Sequence, residues 1–565
     1  MRKDVRVGPR LLGVLLCSML GGACDEDPPP LDVGPPDAGP TDAGPLFPTC
    51  ESTEPGALLP PTRSTLLSTV AHAERLTAAG PFNPATERGE SRYHTMGLDS
   101  VSEGPGVDRV LRDDLGGAVP PTTGRRSLAW FVHYADFQLV DDESPTRLAV
   151  ADTPAIPSGL RAQEAYLPRA LSAMNRTLSE LERDERPFDF GIITGDCADS
   201  GQANELEWVL AAMNGTPGLN FDSGEDDDPV PGPDNDPKDP FDPVAFPAPW
   251  LYVPGNHDVL VTGIALQTED AMAAALGTRA RNGTRDYRQR YAAVTQGEVP
   301  ADPMRRLVDR SEIVQRLLDD VGDPGPVGHG YAPSPDLSAG ANYAYDAVPG
   351  VLRVLGLDTN DDTGGSNGLV HRATVDAFLV PELERAATDG VLVVLASHHA
   401  TSSIDVFRSQ LGTEVVPDAV PPEELEQIVA GHPEVIAWLV GHSHDNRIRA
   451  VPDESGDHPG YWEIMAPALM DYPGQARLIE LVDNADGTLS IFATNVDYRE
   501  TGCLEQRFRR LMVMEYTSAW TDHVNEDPRH VNVEMLRAIP TSATESLAGA
   551  VGSPRIESQT TLRGE

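Results

Sequence analysis

Six short apolar runs, each closed by glycine or polar residues, recur through the middle of the 565-residue chain. They read LAWFVHY (128–134), FDFGIIT (188–194), PWLYV (249–253), VLRVLGL (351–357), VLVVLAS (391–397) and VIAWLVG (435–441). Runs this short, rich in β-branched and aromatic residues, predict strands buried on both faces. Between them the period changes. Leu167, Leu171, Met174, Leu178 and Leu181 keep the spacing of one helix face, and ELEWVLAAM (205–213) and TVDAFLVPELERA (374–386) read as further helices. Strands alternating with helices predict an α/β layered fold. RLIELVDNADGTLSIFAT (477–494) predicts a hairpin turning at Asp486-Gly487.

Polar residues crowd the ends of these strands. The first run delivers Asp136 and Gln138, and the second leads into TGDCAD, with Asp196 and Asp199. The third leads into PGNHD, with Asn256, His257 and Asp258; the later runs end at His398-His399 and at His442-Ser443-His444. Carboxyl ends of strands are where α/β sheets hold their ligands. Each fragment alone reads as well as a helix cap, a turn or a structural histidine. Together they form a set of carboxylate, amide and imidazole donors that needs no thiolate. That set suits manganese, iron or zinc, and does not describe a structural cysteine zinc site.

In order and spacing, ADFQ (135–138), GDCAD (195–199), GNHD (255–258), SHH (397–399) and GHSH (441–444) resemble the motifs of the calcineurin-like metallophosphoesterase superfamily. The resemblance spans roughly residues 125–500. It implies a four-layer sandwich of two mixed β-sheets flanked by α-helices, with a binuclear metal centre at the strand ends. It implies hydrolysis of a phosphomonoester, phosphodiester or phosphoanhydride by metal-bound hydroxide. Carried over by position, Asp196 bridges two divalent ions. Asp136, Gln138 and His444 complete one ion; Asn256, His442 and His398, preferred to His399, complete the other. His257 is implied to contact the phosphoryl group and protonate the leaving group, with Asp258 orienting it.

The departure is Gln138, where the family motif carries histidine. An amide oxygen can bind a metal, but as a hard neutral donor it shifts preference toward manganese or magnesium. The manganese-dependent ADP-ribose/CDP-alcohol diphosphatases look similar here, which favours a ligand exchange over a turn residue beside a weakened site. Manganese is therefore the first expectation, with iron, zinc or magnesium as alternatives. The substrate expected is a phosphorylated small molecule or a nucleotide-like compound. Position 198 is Ala where purple acid phosphatases carry Tyr, so a tyrosinate–iron centre is not expected. Cys197 is expected to point into the core. Asn360, Asp361, His329, Tyr472 and Arg477 are candidates for the pocket rim, Arg477 more readily as a structural residue.

With 88 acidic against 43 basic residues, a net charge of −45, the chain lacks the basic surface that sequence-independent nucleic-acid binding needs. The N-terminus, MRKDVRVGPRLLGVLLCSMLGGAC, reads as an export signal over residues 1–24, and its end resembles a bacterial lipoprotein signal with Cys24 lipidated. Gly21 departs from that pattern, leaving ordinary cleavage and secretion as the alternative. The expectation is a periplasmic or cell-surface lipoprotein that meets a membrane only through this anchor. Residues 25–60 read as a Pro/Asp-rich tether, 61–124 as an N-terminal extension and 125–500 as the enzyme domain with an acidic insertion loop at 221–243. Residues 501–565 read as a C-terminal appendix. Cys50 and Cys503 could pair in an oxidising compartment. The alternative function is a weak or inactive binding protein of the same fold at the cell surface.

Overall fold

The computed structural model describes residues 64–549, apart from 118, 122, 226, 334, 336, 339 and 409–411. The expected signal with Cys24, the whole of the tether with Cys50, residues 61–63 of the extension and the last sixteen residues lie outside that range. In chain order the strands are β1 (Ser68–His72), β2 (Val101–Pro105), β3 (Val110–Arg112), β4 (Arg126–Tyr134), β5 (Phe190–Ile193), β6 (Trp250–Tyr252), β7 (Arg279–Asp286), β8 (Ala293–Glu298) and β9 (Tyr343–Val348). They continue as β10 (Leu352–Gly356), β11 (Leu392–Ala396), β12 (Val435–Val440), β13 (Arg447–Val451), β14 (Tyr461–Met465), β15 (Gln475–Asp483), β16 (Thr488–Asp497) and β17 (Val533–Ala538).

The six apolar runs become β4, β5, β6, β10, β11 and β12. One sheet has the order β13-β14-β12-β11-β10-β9, the other β3-β17-β16-β15-β4-β5-β6, and both are mixed. β4, β5 and β6 lie parallel, as do β10, β11 and β12, because helices carry the chain back between them. Alternation along β11 shows how the layers form. Leu392, Val394 and Ala396 share one core with Leu478, Ile479 and Leu481 of the other sheet. Val393 and Leu395 instead join Leu379, Leu383, Leu425 and Val429 of the covering helices Val380–Asp389 and Pro422–Ala430 and the π-turn before the first. The expected helix face Leu167, Leu171, Met174, Leu178 and Leu181 is fully buried in the first core, on helix Leu167–Asp184. Each such side chain contributes about 1.5–3 kcal/mol on burial. The result is a sandwich of two mixed sheets flanked by helices.

The sandwich extends past both expected bounds of the enzyme domain. β17 pairs with β16 over six residues, and β3 pairs with β17 in parallel, so the extension and the appendix each supply a strand. Trp462 Nε1 donates to Leu536 O at 3.2 Å, and Arg537 bonds Val435 O, joining β17 to the opposite sheet. Helix Cys503–Thr517 packs against helix Leu167–Asp184. The acidic loop at 221–243 is closed at its base by the Leu219–Phe241 bridge. Its one lysine, Lys238, is buried with Nζ 3.0 Å from Asp142 Oδ1 and 2.5 Å from Glu143 Oε2. Cys503 is disulfide-bonded, while Cys197 is free and buried. Among the described residues no helix is long and apolar enough to cross a membrane.

Candidate metal centre

The carboxyl ends of the two parallel trios come together, and the expected residues meet there. From β4, Asp136 and Gln138 are buried; from β5, Asp196; from the turn after β6, Asn256; from β11, His398. His442 and His444 arrive after β12, from the opposite sheet. The backbone itself crosses the gap, since the His442 N–H donates to Asp136 Oδ1 and Oδ2 at 3.2 and 3.1 Å. Asp136 (φ 56°), Gln138 (φ 46°), Asp196 (φ 53°), His442 (φ 73°) and His444 (φ 51°) all adopt left-handed backbone. For residues with a Cβ that conformation costs about 1–2 kcal/mol each. Its concentration in five residues just past three strands marks backbone bent to aim side chains. Gly195 (φ +84°) precedes Asp196 for a spatial reason: a Cβ there would lie 2.5 Å from the Gly255 nitrogen.

Two groups of donors result. His398 Nδ1 donates to Thr194 O at 2.7 Å, which presents Nε2 to Asp196 Oδ2 and Asn256 Oδ1, each at 3.0 Å. Asn256 is held in turn by its Nδ2, which donates to Gly263 O at 2.9 Å. On the other side, His444 Nδ1 bonds Asp471 Oδ2 at 2.6 Å and Nε2 lies 3.2 Å from Asp136 Oδ1. An imidazole fixed at Nδ1 by a carbonyl or carboxylate with Nε2 free to ligate is how metal-binding histidines are held. Gln138 Oε1 is buried without a hydrogen-bond partner. A buried amide oxygen left this way needs a partner, and the donors around it are those a cation takes. Ligand atoms of Asp136, Asp196 and His398 lie within 4.8 Å of one another, as do those of His398, His399 and His442. His399 differs from His398, because both its nitrogens are used, by Thr359 Oγ1 at 2.9 Å and Ser366 O at 3.0 Å.

The charges follow the same pairing. Burial opposes the imidazolium of His398, but Asp196 and Asp136 outweigh it and carry its pKa up to about 9. His444, half-buried at the cavity wall, loses some charge stabilisation to desolvation but is carried up to about 10 by Asp136 and Asp471. Burial and the neighbouring His398 charge bring His442 down to about 3. Burial raises the Asp196 carboxyl, yet His398 and His257 more than offset this and hold it well below the usual range. Protons here occupy the positions cations would take, so metal uptake would release them.

His257 stands at the wall of the same cavity, of about 390 Å³, with its Nδ1 donating to Asp199 O at 2.6 Å. Gly263 (φ +69°) backs the ring, and a Cβ there would lie 2.4 Å from His257 Cδ2. Asp258, expected to orient His257, does something else. Its carboxylate accepts four backbone N–H groups, from Asp196 and Gly255 at 2.7 Å and from Cys197 and Ala198 at 2.9 Å. It clamps the turns that carry Asp196 and Asn256 together, and Asp199 supplies the contact to His257. Burial and the Asp196 charge push Asp258 up to about 6 despite those bonds.

Of the rim candidates only Tyr472 lines the cavity. Arg477 is buried and spent on Asn446 Oδ1 and the carbonyls of His530 and Val531. His329 stacks on Trp250 with ring centroids 3.6 Å apart and bonds Trp250 O and Asp320. Asn360 bonds Pro254 O, and Asp361 caps Thr363. Arg161, Asp471 and the segment Thr521–Val524 line the cavity without any strand-end signal in the sequence.

No protein-family model and no curated protein matches this chain. The chain is similar in structure to a dimetal phosphatase from Danio rerio at 11% identity, with 66% of this chain and all of that one covered and a TM-score of 0.34. PhoD aligns at 9% identity over 70% of this chain and 68% of its own, with a TM-score of 0.30. Both likenesses are remote.

Proposed function

We propose that this protein is a metal-dependent phosphoesterase with two divalent ions at the meeting of its sheets. The observation that carries the reading is the convergence of Asp136, Gln138, Asp196, Asn256, His398, His442 and His444 on one buried spot beside His257, with Gln138 Oε1 lacking a partner. Asp136, Gln138 and His444 would hold one ion and Asn256, His398 and His442 the other, with Asp196, which stands between the groups, shared by both. Manganese is the cation this oxygen-rich set suits best. Two such ions supply Lewis acidity to the phosphoryl oxygens and lower the pKa of the attacking water.

The chain's own residues do the rest. His257, with Nδ1–H tied to Asp199 O, offers Nε2 as the atom that delivers a proton to the departing oxygen. Asp258 keeps Asp196 and Asn256 in register by its four N–H bonds. The substrate is a phosphorylated small molecule, and the enzyme is exported and held to a membrane through Cys24. The disulfide at Cys503 supports an oxidising compartment.

Metal analysis of the purified chain, with hydrolysis of p-nitrophenyl phosphate and bis(p-nitrophenyl) phosphate in manganese, tests the proposal. About two ions per chain and turnover lost in Asp196→Asn are expected. A wild-type chain without bound metal or turnover refutes it.

A further inference from the structure

Arg161 is 3% exposed, lines the cavity that holds the candidate ligands, and is only partly used by the protein. Its Nε lies 3.2 Å from Asp471 Oδ1, whereas Nη1 has Asp199 Oδ1 no nearer than 3.8 Å and makes no hydrogen bond. A guanidinium carries five N–H donors, and leaving them unmet in a buried place is costly. The neighbouring Arg147 shows the contrast. It bonds Asp199 Oδ2 at 2.6 Å, Glu164 Oε2 at 2.7 Å and Gly159 O at 3.3 Å, and so serves Asp199 from the other side. Neutralising Asp199 therefore does not require Arg161.

Its place matters as much as its unmet donors. Asp471, its partner, also holds His444 Nδ1, and Asp199 holds His257 Nδ1 through its carbonyl. Arg161 thus stands between the metal-ligand side of the cavity and the proton donor. Its backbone is fixed, with N–H donating to Glu164 Oε2 at 2.9 Å and C=O accepting Arg285 Nη2 at 2.8 Å. No closing movement is needed to bring it to the cavity.

Given the phosphoesterase reading on which this rests, we infer that Arg161 binds an anionic phosphoryl oxygen that the metals leave free, and so selects phosphomonoesters and phosphoanhydrides over phosphodiesters. A diester has two non-bridging oxygens and one charge, and two cations can take both. A monoester dianion or a diphosphate keeps a further anionic oxygen, which a planar guanidinium fork fits.

The test uses the full manganese-loaded chain as wild type, Arg161→Gln and Arg161→Lys, each checked for melting and metal content. Inorganic phosphate is titrated calorimetrically, and kcat/KM is measured for p-nitrophenyl phosphate and its bis ester. Arg161→Gln should weaken phosphate binding and monoester kcat/KM by about 10- to 100-fold, the range for loss of a charged hydrogen bond. The diester should change by no more than about threefold on the same scale, with metal content kept. Arg161→Lys should fall between. A folded, metal-loaded Arg161→Gln with wild-type phosphate affinity and unchanged monoester-to-diester ratio overturns the inference, while diester turnover in the wild type leaves the phosphoesterase reading standing. If Arg161→Gln does not fold, Arg161→Lys decides: it keeps the charge beside Asp199 and Asp471, so wild-type affinity and selectivity in it also overturn the inference. If the wild type hydrolyses nothing, the phosphoesterase reading fails and the phosphate titration alone decides, weakened binding supporting Arg161 and equal binding overturning it.

Discussion

Replacing Asp258 isolates what the structure assigns to it. Its two oxygens accept four N–H groups at 2.7–2.9 Å, two each, from the turns that carry Asp196 and Asn256. Asp258→Ala leaves all four donors buried without a partner. At about 1–3 kcal/mol for each unsatisfied group, partly recovered by water entering the space, the loss should be about 3–5 kcal/mol. Asp258→Asn is nearly isosteric, yet its NH2 meets two N–H donors where an oxygen stood, so it should lose about half as much or more. In a body of this size 1 kcal/mol moves the melting temperature by about 1 °C. Thermal unfolding of the metal-free variants should therefore fall by about 3–5 °C for alanine and 2–3 °C for asparagine. Metal affinity should fall with it, because both ligand-bearing turns loosen. Had Asp258 served to orient His257, asparagine would keep stability and metal binding and lose only turnover. Asp258→Asn melting with the wild type while binding metal normally would refute the clamp.

Three further outcomes are expected. Gln138→His should keep turnover and move the preferred metal from manganese toward zinc or iron, read by competition between ions; identical metal selectivity would put Gln138 outside the site. Gly263→Ala should displace the His257 ring, which a Cβ meets at 2.4 Å, and press on Asn256 Nδ2 at 2.7 Å, lowering kcat by about 100-fold or more and weakening metal binding with it. Asp152, bonded by Asn83 and Trp520 and raised by burial to about 8, keeps its proton in the folded state where the unfolded chain has lost it above about pH 4. Stability should therefore fall as pH rises from about 4 to 8, by a few kcal/mol, and Asp152→Asn should flatten that slope in denaturant titrations at both ends.

What could be read from the sequence and what could not separate along physical lines. The six buried strands were legible because a two-faced strand must be apolar throughout, and the candidate ligands because metal chemistry admits few side chains at a strand end. β3 and β17 were not, since Val110–Arg112 is three residues long and VEMLRA carries charge, and their pairing depends on contacts more than 400 residues apart. Arg161, Asp471 and Thr521–Val524 come from loops, where nothing periodic announces which side chain turns inward. Asp258 shows the subtler failure: the motif marks the residue, but its task is written in backbone N–H groups that carry no sequence signal. Gln138 runs the other way. In the sequence it is an amide at a turn, equally a ligand or a filler. In the fold its left-handed backbone is paired through N–H to Asp196 O at 2.8 Å while its side-chain oxygen stays buried and unbonded among carboxylates and imidazoles. A filler at that turn would be selected for a satisfied oxygen or an apolar side chain, either of which removes the desolvation cost. An amide held there at the expense of both its backbone and its oxygen fits a group whose partner is a cation.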